Sequence, residues 1–240
     1  MKLTDIHCHM LPFVDDGPDS VMEAKALLAE SYEQGVRRII ATPHYRPEMF
    51  ETPIKRIRYS YSRMKEIAAE MGIRMRLGCE FYRNEHLVSL LREGERPSLA
   101  GSRYVLIEFS TNDLFQTIHN SVYELLTNGY KPVIAHIERY ACCGEIEKIK
   151  ELRALGASVQ INAGAVLGNA GRHTRRYCKK LMQADLIDFI ASDTHDTKNR
   201  RPNLGECAAF VEKKMGKEYA ARIFVKNPGK IWNFEKQVKK

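Results

Sequence analysis

Pro132-Val133-Ile134-Ala135-His136-Ile137-Glu138-Arg139 is a short β-rich apolar run that stops on a histidine, a glutamate and an arginine. The same pattern recurs along the chain in both directions. Upstream, Asp5-Ile6-His7-Cys8-His9, Ala41-Thr42-Pro43-His44, Leu77-Gly78-Cys79-Glu80 and Leu106-Ile107-Glu108 each close an apolar stretch on a possible metal donor. Downstream, Ile190-Ala191-Ser192-Asp193-Thr194-His195 does the same. Together with an apolar run over 158–161, these stretches predict strands over 3–8, 38–41, 75–79, 104–109, 132–135, 158–161 and 186–191.

Amphipathic helical stretches lie between them. Ser20 and Glu23 form a Ser-x-x-Glu capping box, and Gly35 closes that helix. Thr52-Pro53 opens the next, which runs through Ile54, Ile57, Tyr61 and Met64 to Gly72. Later helices stop near Gly129, Gly156 and Gly216. Strands separated by crossover helices must pair in parallel, because a parallel connection takes about a dozen residues or more. An α/β barrel of the (β/α)7 type, closed or nearly so, is the expected fold, and a doubly wound open sheet is the alternative. No Gly, Ser or Pro-rich linker and no repeat interrupts the 240 residues, which reads as one domain.

Active sites of α/β barrels form at the carboxyl ends of the strands, and six of the seven strands finish there on His, Asp or Glu. In an extended strand side chains two apart point the same way, so His7 and His9 can converge on one ion. Taken singly, Glu80 or Glu108 would cap a helix and His44 or His136 would be a core histidine. Taken together they would leave several carboxylates buried without a partner, which is costly, so a metal cluster is the better reading. Imidazole and carboxylate donors without thiolate suit Mn, Fe or Zn better than Mg, and there are too many for one tetrahedral ion. Two or three metals are expected. Arg139, Arg200 and Arg201 follow the cluster closely and could grip a phosphate through forked hydrogen bonds. His86, His119 and His173 fall on helices or loops and are left out.

Other chemistries find no support. A cysteine-nucleophile loop needs Arg six residues after Cys, and the six positions hold Val14, Glu85, Lys148, Ile149, Ala184 and Lys213. A Gly-Lys-Ser/Thr phosphate loop and a Gly-x-Ser-x-Gly elbow are missing. Nothing at the amino end reads as an export signal and no apolar stretch approaches the roughly 18 residues of a membrane span. The cytoplasm is the expected location, with the six cysteines reduced. The net charge of +8, with Lys213, Lys214, Lys217, Lys236, Lys239 and Lys240 crowding the last third, reads as a solvated basic face. Basic and aromatic residues do not interleave as a nucleic-acid track, so a nuclease is disfavoured.

These residues resemble the polymerase-and-histidinol-phosphatase (PHP) superfamily, a distorted TIM-like barrel. Within it the chain is similar to the manganese-dependent tyrosine-protein phosphatases of bacterial capsular and exopolysaccharide genes. The likeness rests on Asp5-Ile6-His7-Cys8-His9, Asp15-Asp16-Gly17-Pro18, Met49-Phe50-Glu51-Thr52-Pro53, the segments 104–110, 132–140 and 190–195, and Asn227-Pro228. It implies a three-metal centre: one Mn²⁺ on His7, His9, Glu80 and Asp193; a second on Glu108 and His136, bridged by Glu80; a third on Asp16, His44 and His195. It implies that Arg139 and an arginine after His195 hold the phosphate. The family's Arg-Pro-Pro reads Arg200-Arg201-Pro202 here, and gapless spacing from His195 favours Arg200. It further implies hydrolysis without a phospho-enzyme, and a substrate that is the phosphotyrosine-bearing tail of a partner bacterial tyrosine kinase. A histidinol-phosphate phosphatase is the rival reading; a regulatory domain that lost catalysis is less favoured, because each ligand position holds a competent donor.

Overall fold

The computed structural model describes residues 1–234. Lys236, Lys239 and Lys240, part of the expected basic face, lie outside the described residues. The strands are β1 (Leu3–Cys8), β2 (Val36–Ala41), β3 (His44–Tyr45), β4 (Arg74–Leu77), β5 (Glu80–Tyr82), β6 (Tyr104–Glu108), β7 (Lys131–Ile134), β8 (Ser158–Asn162) and β9 (Phe189–Ala191). Paired strands run parallel, in the orders β1-β2-β4 and β3-β5-β6-β7-β8-β9.

These two sheets are one curled sheet with breaks. Pro43, which has no N–H to give, separates β2 from β3, and Gly78-Cys79 separates β4 from β5. Across the breaks Gly78 N donates to Ala41 O at 2.8 Å and Glu80 N to Pro43 O at 3.1 Å. A Cβ at Gly78 would lie 3.0 Å from Leu99 Cδ2 and 3.1 Å from Ile40 Cγ2, so a larger residue would not fit the inner face there. The two ends of the sheet then meet. Cys8 bridges Thr194 in parallel, His9 N donates to Thr194 O at 2.8 Å and Asp193 N to His7 O at 2.9 Å. The result is a distorted (β/α)7 barrel, not the doubly wound open sheet. The seven expected strands are present, two of them split, and the last is shorter than expected because Leu186 and Ile187 belong to its approach.

Apolar residues alternate between two clusters. Ile39, Ala41, Val105, Ile107, Ile134 and Ile190 face the surrounding helices. Ile40, Leu106, Val133, Phe189 and Ala191 fill the barrel with Trp232. The expected caps are met in part. Ser20 Oγ accepts from Glu23 N at 3.0 Å to open helix Val21–Glu33, although Glu23 returns the contact to Asp19 N instead of Ser20 N. Thr52, expected to help open helix Ile54–Glu70, bonds Val14 O instead, and Pro53 is the cap.

Strand β1 carries the irregularity that builds the site. Its partners run Asp5↔Ile39 and then Cys8↔Ala41, three steps against two, which is a β-bulge. Below it Ile6 faces the barrel interior; above it Cys8 joins the outer cluster and His7 and His9 face inward. Asp5 Oδ1 accepts from His7 N at 3.3 Å and from Ser192 N at 3.2 Å, tying the bulge to the far end of the sheet.

Asp5→Ala would leave two buried amides without an acceptor. It should lower unfolding free energy by about 1–3 kcal/mol or more in urea titrations. A loss under about 0.5 kcal/mol would mean that the bulge holds without the carboxylate.

Candidate metal centre

Continuing the inward alternation past the apolar filling places polar side chains at the carboxyl mouth: Ile40 leads to Thr42 and His44, Leu106 to Glu108, and Ala191 to Asp193. Each sequence-predicted donor arrives there. Glu80, fully buried, is the hub. Its Oε2 lies 3.0 Å from His7 Nε2, 3.1 Å from His9 Nε2 and 3.1 Å from His44 Nδ1, and its Oε1 lies 2.9 Å from His136 Nε2. Asp193 Oδ1 is 3.3 Å from His7 Nε2. Glu108 reaches His44 Nδ1 at 3.2 Å and His136 Nε2 at 3.6 Å. Asp16 Oδ1 is 3.2 Å from His195 Nε2 and 3.6 Å from His44 Nε2.

These donors form three overlapping groups, His7/His9/Glu80/Asp193, His9/Asp16/His44/His195 and His44/Glu80/Glu108, with the donor atoms of each within 4.8 Å of one another. His44 faces two groups at once, Nδ1 toward Glu80 and Glu108 and Nε2 toward Asp16. Its ring also stacks on Phe50 at 5.1 Å. The grouping differs from the one the resemblance implies by adding His9 to the Asp16 group and by setting His44, in place of His136, with Glu80 and Glu108; His136 stays beside that group, 2.9 Å from Glu80 Oε1 and 3.6 Å from Glu108 Oε2.

The donors suit divalent ions. Separations near 3.0–3.7 Å are edge lengths of a coordination shell with bonds of about 2.0–2.2 Å. Glu80 Oε2, His44 Nδ1 and His195 Nε2 are buried with no hydrogen-bond partner among the described residues. They converge on common points and do not bond one another.

The opposite ring nitrogens are held from behind, which leaves the inward nitrogens free to ligate. His9 Nδ1 lies 2.7 Å from Asp15 Oδ2, His7 Nδ1 3.3 Å from Gln160 Oε1, His136 Nδ1 3.2 Å from Tyr140 Oη, and His195 Nδ1 3.0 Å from Asp193 O. Asp15 also accepts from His44 N at 2.9 Å and Gly17 N at 3.1 Å. A Cβ at Gly17 would sit 2.6 Å from His9 O, so only glycine allows the turn that brings Asp15 and Asp16 to the site.

Gln160 and Asn162 were not predicted. They project inward from β8, the one of the seven expected strands that leads to no His, Asp or Glu donor. Gln160 Oε1 accepts from His136 N at 2.8 Å, Gln160 Nε2 donates to Asn162 Oδ1 at 2.8 Å, and Asn162 Nδ2 donates to Asp193 Oδ2 at 2.7 Å. Period-two spacing in Gln160-Ile161-Asn162 was the available signal. Two residues of the cluster, His136 (φ 31°) and Asp193 (φ 55°), adopt left-handed backbone. Such conformations cost about 1–3 kcal/mol each and concentrate at functional sites.

Arg139 Nη2 donates to Asp193 Oδ2 at 2.6 Å, and Arg200 Nη2 to Asp193 Oδ1 at 2.9 Å. Arg200 Nη1 also reaches Asp16 Oδ2 at 3.4 Å. Arg201 turns outward to Glu30 Oε1 at 3.0 Å. Both Arg139 and Arg200 keep more than a third of their side chains in solvent, so they can turn to an incoming anion. Asp196 Oδ1 accepts from the amides of Lys198, Asn199 and Arg200, shaping the loop that presents Arg200.

Protonation follows the charge balance. Among the described residues Arg139 and Arg200 pair with Asp193 and Asp16, and the other carboxylates of the cluster meet imidazoles, so imidazole protons or metal ions supply the balancing charge. Burial pushes His7 down, but Glu80 and Asp193 outweigh it and hold it at about 9. Burial likewise opposes, and Glu80 and Glu108 outweigh it, in raising His44 to about 10. Burial and the neighbouring His9 depress His195 to about 4. Burial lowers His136, aided by Arg139. Burial pushes the Cys8 and Cys79 thiols well above their usual range, away from the reactive thiolate.

Comparison with known proteins shows the family. The family described as capsular polysaccharide synthesis, CpsB/CapC, matches residues 3–233. The tyrosine-protein phosphatase CpsB of Streptococcus pneumoniae is 39% identical over 237 residues, covering 95% of this chain and 98% of its own. The tyrosine-protein phosphatase YwqE of Bacillus subtilis is 31% identical over 219 residues, covering 90% and 86%. A chain from the crystal structures of YwqE from Bacillus subtilis and CpsB from Streptococcus pneumoniae, described as unique metal-dependent tyrosine phosphatases, superposes with a TM-score of 0.89 at 29% identity, covering 96% of this chain and 94% of its own. With barrel, donor cluster and match extending over nearly the whole length, the chain belongs to the CpsB/CapC capsular polysaccharide synthesis family.

Proposed function

We propose that this chain is a metal-dependent protein-tyrosine phosphatase. It acts as a single catalytic domain in the cytoplasm on the phosphotyrosine tail of a partner tyrosine kinase, and so regulates capsular or exopolysaccharide synthesis. The observation that carries the reading is the convergence of donors on Glu80 beneath Arg139 and Arg200, in a chain whose relatives are named tyrosine-protein phosphatases. His7, His9, Asp16, His44, Glu80, Glu108, His136, Asp193 and His195 hold two or three Mn²⁺ ions. Divalent ions in such a site acidify water and neutralise phosphoryl oxygens.

The remaining work falls to the chain's own groups. Arg139 and Arg200 exchange part of their pairing with Asp193 for the phosphate, each offering a forked pair of N–H donors. Asp15, Gln160 and Tyr140 keep the imidazoles in the tautomer that faces inward. The tyrosyl oxygen, whose unperturbed pKa is about 10, leaves without strong acid assistance. Among the described residues no helix is long and apolar enough to cross a membrane.

The deciding experiment compares a phosphotyrosine peptide, histidinol phosphate and DNA as substrates of the Mn²⁺-loaded protein, with a chelator control. Peptide turnover that requires metal is expected; turnover of histidinol phosphate alone would replace this reading. His136→Ala should cut kcat by more than about 100-fold and lose bound metal by elemental analysis. Cys8→Ser should retain activity within a few-fold, and its complete inactivation would revive thiol chemistry.

Arg200→Ala should lower kcat/KM by about 10- to 100-fold, the value of one or two hydrogen bonds between charged groups. Arg201→Ala should change it less than about twofold. Equal losses would show that Arg200 has no special role.

Stability should depend on pH differently with and without metal. His7 and His44 are raised above the ordinary 6.5, to about 9 and about 10. In the metal-free protein their stabilising contribution is complete below about pH 6.5 and is lost as pH rises through 9 and 10. Thermal melts in chelator should therefore fall across that range, whereas melts with saturating Mn²⁺ should not. Parallel profiles would mean that metal and protons do not compete for these rings.

A further inference from the structure

Beside the donor cluster a cavity of about 500 Å³ opens between Arg139, Arg200 and the chain leaving β8. It lies within the size range of ligand pockets, about 300–1,000 Å³, and it adjoins the metal centre through Asp193. Its polar lining is incompletely satisfied. Glu138 spends one oxygen on Asn162 N at 3.0 Å, and its Oε2 is buried without a partner among the described residues. Asn203, only 7% exposed, likewise leaves its Oδ1 buried and unpaired. Empty buried acceptors are costly and call for an N–H or O–H donor.

The backbone makes the room. Strand β8 passes directly into the short helix Ala163–Leu167, whose second residue is Gly164. A Cβ there would come within 3.3 Å of Asn203 Nδ2 and 3.5 Å of Asn169 Nδ2. Those two amides supply donors alongside the two empty acceptors. A second phosphate carries mostly acceptors and would meet the two empty oxygens of Glu138 and Asn203 with nothing to donate to both. An apolar group would leave both oxygens unpaired. A peptide main chain offers an N–H and a C=O at every residue and matches both kinds of group.

Resting on the phosphatase reading above, we infer that this cavity is the substrate main-chain subsite: Glu138 Oε2 and Asn203 Oδ1 accept backbone N–H groups of the residues flanking the phosphotyrosine. Its position next to the two arginines places it beside the scissile phosphate, where an aryl phosphate without a peptide has nothing to insert. The subsite makes the enzyme selective for phosphotyrosine within an extended chain over small phosphate esters of equal intrinsic reactivity.

The test uses the Mn²⁺-loaded full chain, phosphotyrosine peptides and para-nitrophenyl phosphate. For the wild type, N-methylation of individual amides flanking the phosphotyrosine should lower kcat/KM by about tenfold at one or two positions, through KM. Asn203→Leu and Glu138→Gln should lower the ratio of peptide to aryl-phosphate kcat/KM by a similar factor, and N-methylation at those positions should cost these variants nothing more. N-methylated and plain peptides cleaved equally well by the wild type would overturn the subsite while leaving the phosphatase reading intact. The same holds for variants that lose activity on both substrates in proportion. A wild type that hydrolyses para-nitrophenyl phosphate but no phosphotyrosine peptide would overturn the phosphatase reading and the subsite together.

Discussion

A fully buried carboxylate, Glu80, surrounded by four imidazoles and left with an oxygen that bonds to none of them, is the constraint on which the rest of the structure depends. Burying an ion costs several kcal/mol unless opposite charge meets it. The neighbouring Asp193 and Glu108 add to that demand, and the nearest fixed cations are engaged with Asp193. The imidazoles can answer in two ways, by taking up protons or by sharing metal ions with the carboxylates. His7 and His44, raised well above the ordinary histidine range, are the first answer written into the same atoms that would give the second.

Much of the surrounding architecture serves to hold those atoms in place. A bulge in β1 turns two histidines inward where a regular strand would have alternated out of register, and Asp5 ties that bulge to the opposite end of the sheet. The strand lacking a donor of its own provides the supports: Gln160 and Asn162 brace His136 and Asp193. Left-handed backbone at His136 and Asp193 persists because hydrogen bonds on each side over-determine it. The same bracing leaves the mouth asymmetric. Its floor, with His7, His9, Glu80 and Asp193, is buried, and its rim, with Asp16, Arg139 and Arg200, stays partly exposed where an anion can reach it.

The donors were legible because each terminates a hydrophobic run. Strand ends and inward parity are local properties, so His7, His9, His44, Glu80, Glu108, His136, Asp193 and His195 stood out as a set, although each alone had an ordinary structural reading. Asp16 was harder, since it sits in a turn with no period to follow, and only its likeness to a known pattern drew attention to it. Gln160 and Asn162 escaped notice because neutral amides in a strand look like ordinary polar positions. Their role exists only relative to side chains that lie 24 to 153 residues away in the chain.

The order of residues along the chain determined the parallel α/β sheet, its seven-fold repetition and the chemical type of its cluster, because hydrophobic period and strand-end composition depend on near neighbours alone. Tertiary structure decided what no local period encodes. It decided that the sheet closes through Cys8 and Thr194, that Arg200 turns in toward Asp193 while Arg201 turns out to Glu30, and that His44 faces two groups of donors. Each of these depends on distances between segments far apart in sequence, and such distances are set only when the whole sheet has curled.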